Sequence, residues 1–102
     1  MEAPGAIRVS GEEQQARLVR QVAPAYPAAA RHAGLSGLVR LGVVITKEGR
    51  VRDITVMNGP GLELDTAAMQ AVRQWVYKPT LLNGQPVDVV TTVEVNFAPN
   101  GQ

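Results

Sequence analysis

The sequence predicts an α+β fold: a three-stranded antiparallel sheet of split β-α-β type, with strand order second-first-third and two helices on one face. Three observations predict it. Two apolar-alternating segments, 38–46 and 50–58, flank the short loop Lys47-Glu48-Gly49, as in a hairpin. An apolar stripe at helical spacing follows, formed by Ala68, Ala71, Val72 and Trp75. A long segment of clean alternation, 86–97, closes the chain.

Residues 1–17 read as a lead-in, flexible or partly ordered. Within it Ile7-Arg8-Val9 could form an extra short strand stopped by Ser10-Gly11, and 12–17 is polar with weak helical propensity. Residues 18–23 are apolar and β-branched, which suits an extended chain that Pro24 soon ends. Pro24-Ala25-Tyr26-Pro27 cannot be helical throughout, because each proline pushes the residue before it toward extended geometry. Pro27 suits a first helical position, and Ala28–Ala33 continues as a short Ala-rich helix. Gly34 is its natural C′ residue, with Leu35 able to fold back onto the helix.

Val39, Leu41, Val43 and Ile45 share one face of the first hairpin strand. Gly49 supplies the left-handed position of the loop. On the return strand Val51 is followed by Ile54 and Val56, so the apolar phase slips by one. A bulge near Arg52-Asp53 explains the slip. Asp65 is a suitable N-cap for the next helix, with Leu64 and Met69 as a hydrophobic staple. Pro79 ends the segment and Asn83-Gly84 marks a turn. On the last strand Val87, Val89, Val93, Val95 and Phe97 face one way, and Thr91 is the polar residue among them. This strand pairs with the first and is left as an edge of the sheet, with unpaired backbone groups. Residues 98–102 read as a loose tail.

Composition narrows the function. The 102 residues suffice for one core, and 45% are hydrophobic but only 4% aromatic, so aliphatic side chains must fill it. A formal net charge of +1 gives no argument for nucleic acid as a partner. There is no cysteine, which removes disulfides, thiolate nucleophiles and Cys-ligated metals. The lone His32 has Arg31, Ala33 and Gly34 as neighbours and reads as a surface or structural histidine. No carboxylate pair, nucleophile elbow or phosphate loop appears, so neither catalysis, a metal nor a cofactor is expected. No apolar run approaches the roughly 18–20 residues of a membrane span. An anchor, if the protein works at a membrane, is expected upstream of Met1.

The same positions carry a resemblance. Pro24-Ala25-Tyr26-Pro27-Ala28-Ala29-Ala30 resembles the Tyr-Pro helix start of TonB C-terminal domains. Gly37-Leu38-Val39 and Gly49-Arg50-Val51 resemble that family's Gly-x-Val…Gly-x-Val hairpin. The stretch from Ala68 to Pro79, ending Trp75-Val76-Tyr77-Lys78-Pro79, is similar to its helix and Trp-x-Tyr-x-Pro exit. Asn83-Gly84-Gln85-Pro86-Val87 resembles the turn before its last strand. Together these cover about residues 18–97, in order. The chain departs from the family at Ala25, where the best-known members have Gln, and at Val76, where many have Arg or Lys.

The resemblance implies a periplasmic domain of an energy transducer anchored in the inner membrane with ExbB- and ExbD-like proteins. It implies a grip on the TonB box of an outer-membrane transporter by β-augmentation. In this chain the grip maps to Val89, Val90, Thr91, Thr92, Val93 and Glu94, with Ala25, Tyr26 and Pro27 touching the receptor. Trp75, Pro79, Gly34 and Gly49 are expected to be structural. The alternative is a TonB-like sensory or regulatory module fused to a membrane peptidase or another signalling protein. An exposed edge also admits a homodimer. Thr91→Pro is expected to abolish pairing if the Thr91 amide faces the partner.

Overall fold

The computed structural model describes residues 6–98. Residues 1–5 and most of the expected tail lie outside the described residues. The elements are β1 (Ile7–Arg8), α1 (Gly11–Gln15), β2 (Leu18–Arg20), α2 (Ala28–His32), β3 (Gly37–Ile45), β4 (Val51–Asn58), α3 (Leu62–Val72), β5 (Val76–Tyr77), β6 (Thr80–Leu82), β7 (Gln85–Val87) and β8 (Val89–Phe97).

The main sheet has the order β1-β8-β3-β4. Its three long strands take the order the sequence predicts. β3 and β8 pair antiparallel without interruption, from Gly37 opposite Phe97 to Ile45 opposite Val89. Unbroken register keeps odd-numbered side chains of both strands on one face. Val39, Leu41, Val43 and Ile45 of β3, with Val89, Val93, Val95 and Phe97 of β8, are all buried there. At about 1.5–3 kcal/mol for each fully buried Val, Leu, Ile or Phe, this face is the main source of stability. β4 carries the expected irregularity. Gly42 lies opposite Thr55 but Val44 opposite Arg52, so β4 has one residue extra, and Asp53 sits at φ 53°. A second shift, between Arg40 and Leu41, places another extra residue near Met57 that the apolar pattern does not signal.

Two helices cover the buried face. α3 contributes Leu64, Ala67, Ala68, Ala71 and Val72, the i, i+3, i+4, i+7, i+8 set of a single stripe. Its start differs from the expectation. The helix begins at Leu62 with Gly61 as N-cap, and Asp65 lies inside the first turn, donating its N–H to the Gly61 carbonyl at 2.9 Å. There Asp65 meets the positive end of the helix dipole and does not cap. α3 also ends at Val72, so Trp75 lies beyond the helix. α2 starts after Pro27, which is the N-cap and not the first helical residue. It closes as expected: Leu35 N–H donates to Ala30 at 2.9 Å and Gly34 N–H to Arg31 at 3.1 Å, the Schellman pattern, with Gly34 at φ 75°.

Two small sheets finish the molecule. β2 pairs antiparallel with β5, and β6 with β7 across Asn83-Gly84. Asn83 and Gly84 both have positive φ, 53° and 80°, as a type I′ hairpin turn requires. The expected single strand 86–97 is therefore split at Asp88. Its first residues pair with β6, and the rest with β3. The Asp88 carboxylate accepts the Lys47 N–H at 3.0 Å and lies 3.9 Å from Arg52, which fixes the corner.

The hairpin loop is locked from outside. Gly49 has φ 87°, its carbonyl accepts the Tyr77 N–H at 2.8 Å, and a Cβ placed on it would lie 1.9 Å from the Tyr77 carbonyl oxygen. Gly49→Ala should therefore cost at least about 2 kcal/mol, combining left-handed strain with a backbone clash. Denaturant unfolding measures it. Burial of Tyr77 pushes its phenol up from 10.0 to about 12. The folded state thus holds a proton that the unfolded chain gives up near pH 10. The stabilisation is complete below pH 10 and is lost as pH rises from 10 toward 12. Tyr77→Phe should flatten the fall in melting temperature over that window, read against the parent protein.

Candidate functional site

The candidate site is the outer side of β8. A strand's backbone groups point alternately to its two neighbours. The Val90 carbonyl accepts the Val9 N–H at 3.0 Å, away from β3. Even-numbered residues Val90, Thr92 and Glu94 therefore turn their N–H and C=O outward, while Thr91 turns its own toward Val43 of β3. This corrects the expectation for Thr91: proline there would break the central ladder. The Thr91 side chain faces the core and is buried, with its hydroxyl unpartnered among the described residues. Val89 and Val93 also face the core. Of the six expected contact residues, Val90, Thr92 and Glu94 present both backbone groups and side chains outside it.

The edge is not bare. β1 runs parallel to β8, with Ile7 opposite Val89 and Arg8 opposite Val90. Ile7 N–H donates to the Asp88 carbonyl at 3.0 Å. α1 follows directly, and a Cβ on Gly11 would lie 2.6 Å from the Thr92 carbonyl oxygen. The expected lead-in is thus structured from Ile7 onward, and β8 is not a free edge at Val89–Thr92. Among the described residues no strand flanks β8 from Val93 to Phe97 on its outer side. A groove of about 290 Å³ opens there, lined by Gly11, Glu12, Gln15, Gln21, Trp75 and Glu94 among others. The Glu94 carboxylate is held by Arg40 across the strands at 2.6 Å, but both side chains are half-exposed, so the pair adds little stability.

The second expected contact, Ala25-Tyr26-Pro27, sits at the far end of the same strand. The Tyr26 ring meets Phe97 edge-on, with centroids 5.4 Å apart, and Arg31 lies over its face at 5.0 Å. The Tyr26 hydroxyl donates to the Leu35 carbonyl. Tyr26 therefore ties the extended segment to the end of α2 and to β8. Ala25 is exposed. Trp75 is buried at 5% exposure, and its Nε1–H donates to the Val22 carbonyl at 2.9 Å. It joins the turn after α3 to the segment before Tyr26. Pro79 is exposed between β5 and β6, and His32 is exposed at the end of α2. Among the described residues no three His, Cys, Asp or Glu side chains gather around a common point that could hold a metal ion.

A family model described as Gram-negative bacterial TonB protein C-terminal matches residues 22–99. The chain belongs to the TonB C-terminal domain family. It is 40% identical over 78 residues to the protein TonB of Xanthomonas campestris pv. campestris strain B100, covering 76% of this chain and 35% of that protein. TonB of Vibrio cholerae is 30% identical over 90 residues, 87% of this chain and 37% of its own length. The chain thus spans little more than a third of these relatives. Among solved structures, the solution NMR structure of the Pseudomonas aeruginosa TonB C-terminal domain superposes with a TM-score of 0.71 at 29% identity, covering 84% of this chain and 88% of that one. TonB2 of Vibrio anguillarum gives 0.61 at 34% identity, covering 83% and 82%.

β1 and α1 lie upstream of the matched TonB residues, which is one reason the expectation passed over their place at the edge. A signal was present. Ser10 followed three residues on by Glu13 is a capping-box pattern, and the Ser10 hydroxyl accepts the Glu13 N–H at 3.1 Å. Tyr26→Phe should cost about 1 kcal/mol, for the lost hydroxyl bond alone. Trp75→Ala should cost about 3–5 kcal/mol. Both are read by chemical denaturation. An unchanged midpoint for Trp75→Ala would contradict its packing role.

Proposed function

We propose that the chain is the partner-binding domain of a TonB-type energy transducer. It works in the periplasm at the end of an inner-membrane-anchored protein energised by ExbB- and ExbD-like proteins. It grips the TonB box of an outer-membrane transporter by adding that extended peptide to β8. Family membership supports the class of protein. The single observation that favours the grip is the outward row of Val90, Thr92 and Glu94 backbone groups on a long strand whose outer strand neighbour, among the described residues, is the two-residue β1.

The energetics suit a reversible coupling. A partner strand can gain about 0.5–1.5 kcal/mol net for each backbone hydrogen bond, and ordering the peptide offsets part of it. Side chains of alternate peptide residues would fall on the two faces of the sheet and supply selectivity. Ala25 supplies no polar side chain beside this strand. Any contact made by Ala25-Tyr26-Pro27 uses backbone groups, the Tyr26 ring or apolar area. Among the described residues no helix is long and apolar enough to cross a membrane.

The test is a titration of the 15N-labelled chain with a synthetic TonB-box peptide. Amide shifts should concentrate at Val90–Asn96 and adjoining Tyr26. Shifts confined to α3 would sink the reading. Glu94→Pro removes one outward donor and leaves the β3 ladder intact, so it should weaken binding by about tenfold, or 1.4 kcal/mol, with little change in melting temperature. Thr91→Pro should instead lower the melting temperature, because its amide belongs to the core ladder.

A further inference from the structure

The outer edge of β8 is covered by the chain's own residues 7–15 over its first half, from Asp88 to Thr92. We propose that this segment is an internal competitor: it pairs where a partner strand would pair and must leave before one can bind along Val90, Thr92 and Glu94. The inference rests on the β-augmentation reading above and adds its regulation.

The segment's backbone contacts with β8 occupy outward groups. Ile7 N–H takes the Asp88 carbonyl and Val9 N–H takes the Val90 carbonyl, both at 3.0 Å. In this parallel register the Val90 N–H donates to Ile7. Gly11 then lies against the Thr92 carbonyl so closely that no larger residue fits. A partner strand and this segment cannot share these groups.

The segment is built to release. β1 has two residues, and its Arg8 is exposed while Ile7 is only half-buried. α1 has five residues, too few for a helix to stand without support. Gln14 is buried at 1% exposure, yet neither atom of its side-chain amide has a partner among the described residues. An unpaired buried amide opposes docking, and release rehydrates it. The displacement has a natural limit. Lys78 N–H donates to the Arg17 carbonyl at 2.8 Å, and Leu18 pairs with Tyr77. Residues 7–16 can thus swing out as a unit while β2 stays in place. Apparent affinity for a partner then falls by the fraction of molecules whose edge is open.

Three forms of the full chain test this. Ile7→Pro with Val9→Pro removes both N–H donors of the segment. Gly11→Val forces a side chain against the Thr92 carbonyl. Arg8→Cys with Val90→Cys, in a chain without native cysteine, can lock β1 to β8 by a disulfide, with its reduced form as reference. In both release variants the Val90 amide should exchange with solvent at least about tenfold faster, while the Val43 and Thr91 amides stay unchanged. The synthetic TonB-box peptide should bind them at least about tenfold tighter than the parent, and the oxidised lock should bind it more weakly than the reduced form. Equal peptide affinity in all forms would overturn the competitor while leaving the binding reading intact. Should the peptide bind no form, the binding reading fails and amide exchange decides the closed edge: faster exchange at Val90 supports it, and unchanged exchange overturns it.

Discussion

The β3–β8 ladder is the constraint on which the rest of the molecule depends. Its nine register pairs run without a bulge from Gly37–Phe97 to Ile45–Val89. That regularity decides two things at once. Odd-numbered side chains converge on one face, where α2 and α3 exclude water over an aliphatic core. Odd-numbered backbone groups of β8 are consumed by β3, so the even-numbered ones must face the other way. Core and outward edge are consequences of one pairing, and a change that shifts the register would lose both.

The remaining elements are fastened to this ladder by a few directed contacts. Gly49 meets Tyr77 backbone to backbone, which draws β5 against the start of β4. Trp75 reaches the Val22 carbonyl, and Tyr26 reaches Leu35 and Phe97. Trp75 and Tyr26 each bury apolar area and use a polar atom to hold a segment that has no regular structure of its own.

The arrangement suits the proposed binding through backbone groups. A rigid strand offers a partner hydrogen bonds in a fixed row, and the interior behind it does not need to move. Residues 7–15 alter that picture, because they already satisfy part of the row. Covering the first half of the edge also limits edge-to-edge aggregation there. Docking of the segment buries Gln14, whose side-chain amide has no partner among the described residues.

Sequence alone determined the regular parts. Period-2 alternation placed β3, β4 and β8, and a one-residue slip in that alternation located the bulge at Asp53. Proline and glycine positions marked α2 and its end at Gly34. These are local effects: a side chain's face, a proline's fixed φ and a glycine's left-handed freedom depend on neighbours within a few residues. Local pattern misjudged α3, whose cap is Gly61, because Asp65 is equally suited to a cap and to a first turn. It also ran β7 and β8 together, since alternation continues through a corner that Lys47 and Arg52 make at Asp88. Tertiary structure alone decided what lies beside the outer edge of β8. Ile7, Val9 and Gly11 meet Val90 and Thr92 across some eighty residues of chain. Two residues of strand carry too little pattern to announce a partner, and only the folded sheet supplies the unpaired groups that give them one.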